Sequence, residues 1–361
     1  MLAYLALFGL PLLWAVSRRL WPASERAVML FVALALTLFV GLRHLMGGDW
    51  HSYWLMLERA HLYPIGTALL VSDPAYMALN IVAARLGLAV GAVNLVCAAL
   101  LVAGLLAYCR RLSSPPMALW IAIPVLIAVA AANSTRQVTA VGLEMGALAL
   151  LLRGAGLGRP ALLLVLACAF HWTAAVLLPI VALFALPPGR RIMLLAALGL
   201  AGAAGLALIW ASQGAADDPA EMAGAALRLV PSLAAVLLLP ALRERLRLGE
   251  EAWAAAGFLA WLSLLCTLML PLLPMAAGRL YYYTIPLQMM VLPAAVAAVP
   301  GLWLRRAALA GLAASMAAML IVWFIVSPYA RCLQPYRSYL QEPEALFGRE
   351  APQLMCQFPS G

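Results

Sequence analysis

The chain is predicted to be an all-α polytopic membrane protein, on three observations. Of its 361 residues 66% are hydrophobic and only 10% charged, more apolar surface than a water-soluble core can absorb. Apolar runs recur from end to end, many of them long enough to cross a hydrocarbon layer. Arg, Pro and Gly separate these runs, with no polar stretch of domain length between them. Only helices satisfy their backbone polar groups within each segment in lipid, so the runs are read as about 11 to 13 transmembrane or half-spanning helices.

The first run, 2 to 17, has no basic region before it and no small-residue cleavage site, and reads as a retained helix. The second, 27 to 45, follows Arg18, Arg19 and Arg26. The next, 75 to 88, is short and carries Arg85; it reads as a helix dipping in from outside without crossing. Runs 92 to 109, 115 to 132 and 138 to 153 follow, divided by Arg110 and Arg111, by Pro115, and by a polar Asn133–Gln137 stretch. The run 160 to 186 has Arg on both flanks, which fits a helix that rises, breaks at Phe170-His171-Trp172 and descends. The runs 191 to 212, 228 to 242, 252 to 276, 281 to 299 and 307 to 327 complete the set. Basic residues are retained on the cytoplasmic side. Arg18, Arg19 and Arg26, Arg110 and Arg111, Arg153 and Arg159, Arg190 and Arg191, Arg243, Arg245 and Arg247, and Arg305 and Arg306 are therefore expected to face inward. One helical bundle, 1 to 327, then carries external loops at 46 to 74 and 213 to 227, followed by an external tail at 328 to 361.

The net charge of +9 comes from 23 basic residues, all arginine, which rules out lysine Schiff-base chemistry. Soluble enzymes, disordered scaffolds and nucleic-acid binders are excluded by composition. The six cysteines show no C-x-x-C spacing; four sit in apolar runs as small hydrophobes, and Cys332 and Cys356, both in the tail, can pair. No H-E-x-x-H, Walker A, G-x-S-x-G or D-x-D motif occurs, so no metal or other cofactor is expected.

Four polar groups fall on the predicted outer face, the first of them running from Arg43 to Tyr53. Arg43 ends an apolar helix, where a ligand or snorkelling to the interface would account for it. Gly47-Gly48-Asp49 allows a tight turn ahead of Tyr53, with Asp49 at a helix N-cap position. Ser134 and Gln137 have capping-box spacing, which puts Arg136 in the first turn of the next helix. A cation there opposes the helix dipole, a cost that an anionic ligand would offset. His171 lies at the proposed break, where its imidazole can move a proton or bind phosphate. Arg279 and Tyr283 share a helix face, although tyrosines at helix ends also form interfacial belts. Glu144 shares a face with Gln137 and is expected to pair with an arginine such as Arg85.

Six stretches in order resemble the EpsG family. They are Arg43 with Gly48-Asp49-x-x-x-Tyr53, Asp73-Pro74-Ala75-Tyr76, Arg136-Gln137, Ala169-Phe170-His171-Trp172-Thr173-Ala174, Arg279 with its tyrosines, and Pro335-Tyr336-Arg337. Trp50 departs from the family's usual tyrosine, and the tail is longer. The resemblance implies a GT-C-like glycosyltransferase, similar to Wzy polymerases, in the bacterial inner membrane with its active site facing the periplasm. It would join undecaprenyl-pyrophosphate-linked repeat units into exopolysaccharide without a metal. The implied partners are lipid-linked donor and acceptor, membrane lipids, and chain-length regulator or export proteins. Tyr53, Tyr336 and Arg337 join the candidate substrate contacts on this basis.

Arginine forks match diphosphate oxygens, so Arg43, Arg136, Gln137, Arg279 and Tyr283 are assigned to the pyrophosphate. His171 is the expected base, because imidazole titrates near neutrality, whereas Asp49 would be occupied by capping and is expected to orient the acceptor or His171. A lipid-linked glycan ligase would share the donor chemistry. A flippase would need its cations along a path across the membrane, and an acyltransferase would share the scattered His and Arg.

Overall fold

A computed structural model describes residues 25–185 and 219–347, with isolated positions in 4–12 and 187–193. The chain is 81% helical with no strands among the described residues, the all-α polytopic architecture that composition predicts. The helices are α1 (Glu25–Gly41), α2 (Trp50–Leu62), α3 (Pro74–Arg85), α4 (Val90–Cys109), α5 (Pro115–Asn133), α6 (Thr135–Leu151), α7 (Gly158–Phe170), α8 (Leu178–Ala185), α9 (Pro219–Leu238), α10 (Glu250–Met269), α11 (Pro274–Ala298) and α12 (Leu302–Val326). Of these, α4, α5, α10, α11 and α12 are each long and apolar enough to cross a membrane, and Ala226–Leu238 with Pro240–Leu246 makes a sixth, bent by 52°. Most of the run 191 to 212 and residues 213 to 218 lie outside the described residues, as does most of the first run, from which Tyr4 and Phe8 are buried in the core; the expected 213 to 227 loop is helical from Pro219 onward, where α9 begins.

The bundle is built on α4 and α6, which pack backbone to backbone. A Cβ on Gly104 would fall on the carbonyl oxygen of Gly142, and one on Gly142 would fall on the Cα of Leu101. In lipid there is no hydrophobic drive to pair helices, so contact of this kind, through small residues, holds them together. A stretch of wider, π-type winding runs over Ile123–Ala130 in α5 with Pro124 in its first turn, as expected where a ring without an N–H interrupts the ladder.

Two expectations change here. The run 252 to 276 stops at Met269 and the next helix begins at Pro274. Pro271 and Pro274 break the first helix and start the second, which places Arg279 inside α11. The 46 to 74 loop is largely helical, because α2 and the single turn Ile65–Leu69 occupy it.

The tail forms a strap across the ends of α1 and α4. Backbone bonds run from His44 N to Arg337 O (3.1 Å), Gly47 N to Cys332 O (3.1 Å), Tyr339 N to Leu42 O (2.8 Å) and Ala89 N to Leu346 O (3.0 Å). Tyr336 stacks on Phe39 at 4.5 Å and donates its hydroxyl to the Phe39 carbonyl (2.6 Å). Cys332 is disulfide-bonded; Cys356 lies outside the described residues.

Candidate active site

A cavity of about 360 Å³ opens where α1 hands over to α2, α5 breaks into α6, α7 ends and α11 begins. Its wall includes Asp49, Tyr53, Arg136, Gln137, His171 and Arg279, six residues singled out from the sequence. Each is delivered by a backbone interruption. Gly47 has φ +96°, a conformation that glycine adopts at little cost, and its missing Cβ leaves room for the Ala132 carbonyl. Gly48 N then donates to Asn133 Oδ1 at 3.0 Å, which ties the α2 entry to the α5 end.

Asp49 stands at the N-cap position of α2, yet its side chain makes no capping bond. Its Oδ2 instead accepts from Ser134 Oγ at 3.1 Å and from the Tyr53 hydroxyl at 3.3 Å. The capping box at Ser134 is likewise unmade: Ser134 turns to Asp49, and Gln137 Nε2 donates to the Arg279 carbonyl at 2.5 Å. Tertiary acceptors thus take the place of the local backbone N–H partners of Ser134 and Gln137.

Arg136 begins α6 and is held by groups ahead of α3. Its Nη1 donates to Ser72 Oγ (2.6 Å) and Asp73 Oδ2 (2.7 Å), and its guanidinium sits 5.9 and 6.0 Å from the ring centres of Tyr53 and Tyr76. Its Nε is buried without a hydrogen-bond partner. Asp73 also reaches the break after α7. His171 adopts an extended backbone, φ −158° and ψ 117°, with Nδ1 3.4 Å from Asp73 Oδ2, while Trp172 N donates to Asp73 Oδ1 at 3.1 Å. Burial pushes the Asp73 carboxyl up, but the His171 hydrogen bond and the Arg136 charge outweigh it and hold the group below the usual carboxylate range. Arg279 is exposed at the cavity rim, with no side-chain partner among the described residues.

Other expected site residues stand elsewhere. Arg43 is 2% exposed and does not line the cavity; its Nη1 donates to Val40 O (2.9 Å) and its Nη2 to Thr135 Oγ1, so the protein itself uses it. Tyr283 is buried behind the wall, where its hydroxyl pairs with Thr173 Oγ1 at 2.9 Å, and Tyr282 faces the cavity in its place. Tyr336 and Arg337 belong to the strap rather than the cavity wall. Glu144 is fully buried with neither carboxyl oxygen hydrogen-bonded, and Arg85 is exposed at the end of α3. The expected Glu144–Arg85 pair is not made because Ala83 and Ala84 fill the inward side of the last turn of α3 and Arg85 faces outward.

Asp73 and Arg228 were not singled out as site residues from the sequence. Asp73 precedes a proline at a helix start and so reads as an ordinary cap. Arg228 lies on α9, lines the cavity and donates to the Tyr282 hydroxyl at 2.9 Å. Among the described residues no three His, Cys, Asp or Glu side chains gather to hold a metal. The arrangement offers arginines for an anion, a histidine with an adjacent carboxylate, and a second carboxylate across the cavity.

No curated protein and no solved structure matches the chain. The model of the EpsG family matches residues 26–338, from the start of α1 into the strap, and the chain accordingly belongs to the EpsG family, whose membership supports a Wzy-like, glycosyltransferase-like polymerase built from membrane-embedded helices.

Proposed function

We propose that the protein joins undecaprenyl-pyrophosphate-linked oligosaccharide repeat units into exopolysaccharide at the periplasmic face of the bacterial inner membrane. The observation that carries this reading is the grouping of Arg136, Arg228 and Arg279 with His171 and Asp49 around one cavity at one end of the bundle. The opposite helix ends carry a second set of arginines: Arg110 and Arg111 precede α5, Arg153 follows α6, Arg159 opens α7, Arg243, Arg245 and Arg247 follow α9, and Arg305 and Arg306 open α12. That asymmetry supports a cavity on the non-cytoplasmic side. A disulfide at Cys332 in the strap beside the cavity also fits an oxidising compartment.

In this mechanism Arg279 and Arg136 hold the donor diphosphate, since guanidinium forks pair with phosphate oxygens and keep their charge. Asp49, already an acceptor for two hydroxyls, orients the sugar hydroxyl of the second lipid-linked unit. That hydroxyl gives its proton to His171 Nε2 as its oxygen bonds to the donor's anomeric carbon. The bond from that carbon to the phosphate oxygen breaks, and the lipid diphosphate leaves with the electron pair, stabilised by the arginines. No step draws on a metal. An active site at membrane depth lets both lipid tails stay in the bilayer.

Extension of a lipid-linked repeat unit by purified His171→Ala and Asp49→Asn proteins tests the assignment, with donor binding checked for each. His171→Ala is expected to lose about 100-fold or more in turnover. Near-normal turnover in His171→Ala together with loss in Asp49→Asn would reverse the two roles.

A further inference from the structure

We propose that Asp73 is a positioning residue that couples the strength of His171 as a base to occupation of Arg136 by the donor diphosphate; this rests on the reading of His171 as the base and Arg136 as a diphosphate ligand. One carboxylate oxygen, Asp73 Oδ2, serves both partners, Arg136 Nη1 at 2.7 Å and His171 Nδ1 at 3.4 Å. The other, Oδ1, is fixed by Trp172 N at 3.1 Å. The carboxylate is 8% exposed, so water offers little replacement when a partner moves. Arg136 has unused capacity, because its Nε is buried without an acceptor and its side chain lines the cavity.

The neutral imidazole that suits this geometry carries its proton on Nδ1, donated to Asp73, and leaves Nε2 to accept. In the empty site Arg136 takes the shorter bond to Oδ2 and brings its positive charge to that carboxylate. A diphosphate on Arg136 offsets that charge and draws its donors toward the cavity. Oδ2 is then released to His171, and both changes favour the imidazolium. The base therefore strengthens when the leaving group is in place. Asp73 stays ionised throughout, and the only proton that moves is the acceptor's, to Nε2. The other charged or titratable groups on the cavity wall with His171 are Asp49 and Tyr53 on the α2 side, Arg228 on α9, and Arg279 and Tyr282 on α11. None of these shares an acceptor with both Arg136 and His171 among the described residues.

The chain has four histidines, so in protein labelled with 13C and 15N at histidine and held in lipid nanodiscs, His171 can be assigned by difference with His171→Gln. Undecaprenyl diphosphate is the probe. In the wild-type protein, the 15N shifts are expected to report the Nδ1-protonated tautomer, and the probe should raise the His171 titration midpoint by on the order of one pH unit, as loss of a neighbouring charge does. In Asp73→Asn the tautomer preference should be lost and the shift cut to less than half, with probe affinity equal or tighter because Arg136 is freed. An equal shift in Asp73→Asn would mean that the diphosphate acts through space alone, and overturns the coupling. An unmoved wild-type midpoint with probe bound overturns it too, and decides the matter even where Asp73→Asn does not fold. Turnover of His171→Ala separates the two levels: an inactive protein leaves the base assignment standing whatever Asp73 does, and an active one removes the parent reading.

Discussion

Arg136 opens a helix whose dipole repels it, and Asp73, Ser72 and two tyrosine rings compensate. A lysine would keep the charge but could not span those acceptors and a ligand together. Arg136→Lys is expected to lower polymer formation at least about 10-fold, measured at equal expression; wild-type yield would count against the assignment. Arg279 and Arg43 make a contrasting pair. The first faces the cavity without a side-chain partner among the described residues, and the second is enclosed and bonded to Val40 and Thr135. Arg279→Gln should raise the donor KM about 10-fold or more, and Arg43→Gln should leave the KM of folded protein near wild type; steady-state kinetics on both variants checks this. The spacing of Ser134 and Gln137 suggested a cap, but Asp49 and the Arg279 carbonyl win those side chains. A local hydrogen bond is worth no more than a tertiary one of the same chemistry.

At the scale of elements, the helix break at Phe170-His171-Trp172 was legible, because arginines flank both ends of an apolar run with a polar residue at its middle; the structure ends α7 at Phe170 and extends the backbone at His171. The packing of α4 on α6 was not, since Gly104 and Gly142 look alike in sequence to the many glycines that meet nothing. Gly142→Val would place a branched side chain against the Leu101 backbone, and the helices would have to separate. Fluorescence-detected size exclusion in detergent should show a protein that is aggregated or markedly less heat-stable, whereas Gly156→Val, at an open position, should match wild type. The strap depends on Tyr336, whose ring and hydroxyl both dock on Phe39. Tyr336→Ala is expected to speed tryptic cleavage at Arg337 several-fold while donor affinity changes little; an unchanged cleavage rate would show that the backbone bonds alone hold the strap.

Across the whole molecule, Arg136, Arg228 and Arg279 line the cavity while Arg110, Arg111, Arg153, Arg159, Arg243, Arg245, Arg247, Arg305 and Arg306 stand at the opposite helix ends. An impermeant thiol reagent should label Ser52→Cys, on the cavity wall, in intact spheroplasts, read against the protein without that substitution. Labelling only after the inner membrane is opened would place the cavity in the cytoplasm and remove the proposed function with it.

Helical class, membrane residence, the positions of most helices and the cluster of Arg136, Gln137, His171, Arg279, Asp49 and Tyr53 could all be read from the sequence. These depend on hydropathy, charge and backbone breakers, which act along the chain over a few residues. Folding alone decided that Asp73 meets both Arg136 and His171, that Arg228 reaches the cavity, and that Arg43, Tyr283 and Tyr336 do not line it. Such pairings join residues 54 to 297 positions apart, and a polar side chain's partner in a bundle is set by which helix ends come together.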